Sequence, residues 1–131
     1  MKRIAIIGLS VVIVVVVILL FWQHTKPSSD RKFSQNLAGV WSWEISSLHG
    51  IRNFAADGSF TEQTVFKGTD TNQTVGTWYV KDGSVIVTVT NDSNKKAKVP
   101  RTISEQIVRI DAHEFIGTFG TAEAVLTRVA P

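Results

Sequence analysis

The sequence predicts an all-β fold: an antiparallel up-and-down meander of about eight strands closing into a small barrel, preceded by one transmembrane helix. Three observations carry this reading. Residues 4–22 form the longest apolar run, uncharged and interrupted only by Gly8 and Ser10. From residue 37 onward, short apolar-rich runs alternate with turn signals. No window sustains a 3.6-residue apolar period long enough for an amphipathic helix.

Length and composition set the outer bounds. The 131 residues allow one compact domain plus a tail. The chain has no cysteine, which excludes a disulfide scaffold, a thiol nucleophile, a thiolate zinc site and a lipid-modified cysteine anchor. Of the 14 Lys and Arg, Lys2 and Arg3 precede the apolar run, leaving 12 against 11 Asp and Glu. The remainder is nearly neutral. The net charge of +3 is therefore partly a membrane-orientation signal and gives little support to a nucleic-acid partner.

As a helix, residues 4–22 reach about 28 Å, at about 1.5 Å per residue, close to the thickness of bilayer hydrocarbon. Residues 11–18 are all β-branched, a poor composition for a helix in water. In lipid the backbone must satisfy its own hydrogen bonds, and helix is enforced there. The competing reading, a buried strand, is disfavoured because strands are rarely half this long. No Ala-x-Ala cleavage pattern follows the run, and Phe21-Trp22 suits a membrane interface. Residues 1–22 are thus expected to be an uncleaved signal anchor, with membrane lipid as partner of residues 4–22. Lys2, Arg3 and the α-amino group precede the span, and only Lys26 lies close behind it. This places the N-terminus in the cytoplasm and the domain in the periplasm or outside the cell.

Residues 23–36 are polar, are broken by Pro27-Ser28-Ser29-Asp30, and read as a tether. The folded domain is expected over 37–131. Strands are predicted over residues 40–45, 49–54, 59–66, 74–80, 85–90, 102–110, 114–119 and 122–129. A polar loop through Asn72 separates the third from the fourth. Lys81-Asp82-Gly83-Ser84 is a strong hairpin signal. Trp41, Trp43 and Ile45 share one face, opposite Ser42 and Glu44. Val85, Val87 and Val89 share another. The strand from Thr102 is ambiguous, because Glu105 and Arg109 fall in phase with Ile103 and Ile107. A closed barrel of such strands removes exposed edges, and a strongly bent open sheet is the alternative.

Leu37-Ala38-Gly39-Val40-Trp41 resembles the Gly-x-Trp start of the first strand in lipocalin-like barrels. Asp57-Gly58-Ser59-Phe60 and Gly76-Thr77-Trp78 resemble turn-strand pieces of small bacterial lipocalin-like domains. Leu126-Thr127-Arg128 resembles the last strand, where such barrels often carry an arginine packed on the first tryptophan. The resemblance covers residues 37–129. The domain is shorter than long-chain lipocalins and lacks their Thr-Asp-Tyr loop motif. The barrel topology independently brings first and last strands together, so Arg128 is expected over the Trp41 indole. Gly39, Trp41 and Arg128 are read as structural.

No catalytic motif is present: no Gly-x-Ser-x-Gly, no phosphate-binding glycine loop and no His-Glu-x-x-His. His24 falls beside the membrane interface; His49 and His113 fall at turns without metal-ligand spacing, so no metal or cofactor is expected. Glu44, Glu62 and Glu105 are expected to face outward. Lys95, Lys96, Lys98 and Arg101 form the one basic cluster, a solvated loop or a contact for anionic lipid or an acidic partner. Phe54, Phe60, Phe66, Phe115 and Phe119 are expected to share the core with Trp41, Trp43 and Trp78. Trp43, Trp78 and Phe115 are the candidates for lining a ligand space. Asn72 and Asn91 begin glycosylation triplets at loops, relevant only to an extracellular domain in a eukaryotic host. The resulting expectation is a tethered, non-enzymatic binding module for a small apolar ligand or an envelope protein partner. The rival is a structural accessory subunit of a membrane complex.

Overall fold

A computed structural model describes residues 29–129. The expected anchor over 1–22 and residues 23–28 of the tether lie outside the described residues. Among the described residues, no helix is long and apolar enough to cross a membrane. One helix, α1 (Ser29–Leu37), is followed by eight strands: β1 (Gly39–Ile45), β2 (Leu48–Phe54), β3 (Ser59–Phe66), β4 (Asp70–Lys81), β5 (Ser84–Asp92), β6 (Arg101–Ile110), β7 (Glu114–Phe119) and β8 (Ala122–Arg128). Each strand pairs with the next and β8 returns to β1, closing the barrel.

The helix corrects the reading of residues 29–36 as tether. Phe33 and Leu37, four residues apart, fall on one side of it and pack on the core, where Leu37 is fully buried. Asp30 fixes its start: its two carboxylate oxygens accept from the Asp82 and Gly83 amides at 2.9 Å each. Those amides belong to the β4–β5 turn, where Asp82 and Gly83 both take positive φ (51° and 73°). That is the Asp-Gly hairpin the sequence announces. At the other end of the barrel, β3 and β4 pair down to Phe66↔Asp70, so the expected loop through Asn72 shrinks to a tight turn.

Period-two alternation builds the core. Trp41, Phe54, Phe60, Trp78, Val85, Val89, Phe115 and Leu126 are buried at or near the end that α1 covers. Phe54 sits between Phe60 and Trp78, with ring centroids at 5.3 Å to each, and Trp41 meets Phe115 edge-on at 6.2 Å. The Trp41 and Trp78 indole N–H groups donate to the Leu37 and Ala55 carbonyls at 2.7 and 2.8 Å. This is the closed end.

Arg128 completes it. The guanidinium lies 4.2 Å from the Trp41 ring and donates to the carbonyls of Asn36, Ala38 and Ala112. Gly39 is required beneath it: its φ is +136°, and a Cβ there would stand 2.5 Å from Arg128 Nη1. Two expectations about the core fail. Phe66 (39% exposed) and Phe119 (57% exposed) have inward parity but end their strands at the opposite rim, beyond the packed interior.

Candidate functional site

The seam between β1 and β8 is short. Only Trp41↔Arg128 and Ser42↔Thr127 are paired, with the Val129 amide donating to the Val40 carbonyl below them. Above that point the two strands part, and a cavity of about 310 Å³ opens at the mouth of the barrel. Its walls come from Trp43 and Ile45 of β1, Ile103 of β6, Phe119 of β7 and residues 122–126 of β8. Arg52 and Glu105 form its polar floor.

The floor is a charge cluster inside the barrel. Arg52 Nε donates to Glu62 Oε2, and Arg52 Nη1 donates to Glu105 Oε2 at 2.9 Å. The Trp43 indole N–H donates to the same Glu62 oxygen at 3.2 Å. Gly50, opposite Trp43 in the ladder, makes the indole's position possible, since a Cβ there would lie 2.6 Å from the ring. Burial alone would lower the Arg52 pKa, but the charges and hydrogen bonds of Glu62 and Glu105 outweigh it and hold the guanidinium above its ordinary value. A smaller void of about 40 Å³ lies on the other side of the cluster, toward Phe60, Val85 and Val87.

This cluster corrects the expectation that Glu62 and Glu105 face outward. Glu105 is 6% exposed, and its Oε1 has no hydrogen-bond partner among the described residues. Glu44 does face solvent. A buried ion-pair cluster of this kind adds little to stability, because desolvation offsets most of the attraction. Arg52 was not singled out from the sequence. The signal was its parity: Arg52 is in phase with Phe54, Glu62 with Phe60, and Glu105 with Ile107.

Of the other candidates, Trp43 lines the mouth cavity, whereas Trp78 and Phe115 lie in the closed-end core and do not. Gly39, Trp41 and Arg128 meet at the closed end. The basic cluster is not one patch: Lys95, Lys96 and Lys98 are exposed in the loop, but Arg101 ion-pairs with the buried Asp92 at 2.6 Å. Asn72 and Asn91 lie in β4 and β5, not in loops. His49 and His113 are exposed, and among the described residues no group of three or more His, Asp or Glu side chains is placed to hold a metal ion. His24 lies outside the described residues.

No family model and no curated protein matches the chain. Solved structures do. A lipocalin-like protein from Bacteroides uniformis superimposes with a TM-score of 0.56 at 14% identity, over 72% of this chain and 99% of its own. An uncharacterized protein from Bacteroides eggerthii gives 0.52 at 13% identity, over 70% and 98%. The fold is therefore that of a lipocalin-like barrel, closed at one end and open at the other.

Proposed function

We propose that this lipocalin-like barrel is a non-covalent binding module whose mouth holds one small, mostly apolar ligand. The observation that carries the proposal is the cavity of about 310 Å³, apolar in its walls, with a few convergent polar groups at its floor. A binding role suits the floor, where Glu62 and Glu105 are both tied to one guanidinium and, among the described residues, no nucleophile stands beside a base. The chain is held to a membrane through residues 4–22, with the domain on the periplasmic or extracellular side. In this reading, with α1 at the closed end, the mouth is turned away from the bilayer. The Lys95–Lys98 loop lies at that far end too, so an acidic partner suits it better than lipid.

Native mass spectrometry of the full chain purified from its own membranes tests the binding role. The proposal expects a retained small molecule in the wild type, absent from Ala124→Phe, which fills the cavity. A bare wild-type chain that no small amphiphile stabilises against heat would refute it. A second reading, a protein partner covering the mouth, is favoured by one observation: Ile45, Phe119 and Val125 are exposed together along the open seam. It predicts a co-purifying protein that Phe119→Ser releases.

A further inference from the structure

The mouth cavity and the charge cluster beneath it together limit which ligand chemistry fits. We infer that the cavity selects a small apolar molecule carrying a protonated amine, which donates to Glu105 Oε1; the inference rests on the binding role proposed above. Three features lead there. The first is the vacant acceptor. Buried carboxylate oxygens are almost always hydrogen-bonded. Glu105 is only 6% exposed, yet among the described residues Oε1 has no partner, while Oε2 accepts from Arg52 Nη1. Gly117 lets that oxygen lie against the β7 backbone, since a Cβ there would stand 2.7 Å from it.

The second feature is charge. One guanidinium, Arg52, faces two carboxyl groups, Glu62 and Glu105, and Glu123 adds a third acid at the rim. The cluster has a formal excess of one negative charge before the rim is counted. A ligand ammonium balances it. A ligand carboxylate would instead be a further acid beside a guanidinium already engaged on both sides, through Nε and Nη1. The third feature is the wall. Trp43, Ile103, Phe119 and Ala124 provide an apolar sleeve above the floor.

The test uses three probes with the same cyclohexyl frame on the full chain in phosphatidylcholine nanodiscs, with empty nanodiscs as reference: cyclohexylmethylamine, cyclohexylmethanol and cyclohexanecarboxylate. Affinities come from saturation-transfer NMR titrations at millimolar probe. The amine is expected to bind about tenfold more tightly than the alcohol, the carboxylate weakest, because a charged hydrogen bond replaces an orphaned acceptor. In Glu105→Gln, amine and alcohol are expected within about threefold of each other. Should that variant not fold, the wild-type order decides alone. Equal binding of all three, or tightest binding of the carboxylate, overturns the amine assignment and leaves the binding role standing. Binding of none overturns the binding role, and the assignment with it.

Discussion

Replacing Arg128 by Ala removes the clamp that ties the last strand to the first and to the end of α1. The cation over Trp41 at 4.2 Å contributes about 0.5–2 kcal/mol. Of the three carbonyls it serves, Ala38 is partly buried and is left wanting, whereas Asn36 and Ala112 are exposed and rehydrate. Losing one charged hydrogen bond costs about 1.5–3 kcal/mol, so the sum is about 2–5 kcal/mol. For a domain of this size that lowers Tm by roughly 8–25 °C, measurable by circular dichroism. Gly39→Ala is destabilising alone, through its φ of +136° and its collision with Arg128 Nη1. In the Arg128→Ala background the collision disappears, so the double variant loses less than the two singles together, by about 0.5–3 kcal/mol. A Tm for Arg128→Ala within experimental error of the wild type, or strict additivity with Gly39→Ala, would refute the clamp.

Other outcomes follow from the same geometry. Arg52→Met leaves Glu62 and Glu105 facing each other without a cation and should cost about 2–4 kcal/mol, discounted for the partial exposure of the site. The triple variant Arg52→Met/Glu62→Leu/Glu105→Leu should recover most of that loss in urea denaturation while abolishing amine selectivity. Asp30→Ala removes two hydrogen bonds that dock α1 on the β4–β5 turn and should cost about 1–2 kcal/mol. Hydrogen exchange in residues 29–37 should quicken before the barrel unfolds.

Acid should destabilise the fold. Asp57 is held below its ordinary 3.8 by the Ser59 hydroxyl and amide, and Asp111 by the His113 and Glu114 amides. For Asp92, burial alone would raise the value, but Arg101, the Asn94 amide and Asn72 outweigh it. A carboxyl lowered in the folded state contributes fully above its ordinary value, and the contribution is lost as pH falls through the folded value. Stability should therefore decline below about pH 4. Asp92→Asn should make the chain weaker at neutral pH and its acid decline shallower; an unchanged acid limb would contradict the assignment.

Most of the barrel was legible in the sequence because strands repeat every two residues and one face is buried. Val85, Val87 and Val89, the Asp82-Gly83 turn and the Trp41–Arg128 pair all fall where their patterns predict. The helix was not legible. Nine residues with only Phe33 and Leu37 on the buried face give too little periodicity, and tertiary docking through Asp30 supplies what propensity lacks. The candidate site was hidden for a different reason. Charged residues on a half-buried strand default to the solvent face, and that prior outweighed a parity that placed Arg52, Glu62 and Glu105 inside. The same parity overpromised for Phe66 and Phe119, because alternation says which way a side chain faces but not whether the barrel still encloses it there.

The indole N–H resonances of the ¹⁵N-labelled full chain test the mouth-cavity account most directly. Trp43 donates to Glu62 at the cavity floor, whereas Trp41 and Trp78 donate to backbone carbonyls at the closed end. On titration with cyclohexylmethylamine, the Trp43 signal should shift and saturate while those of Trp41 and Trp78 stay in place. A stationary Trp43 signal, or a shift shared equally by all three, would contradict ligand binding at the mouth of this barrel.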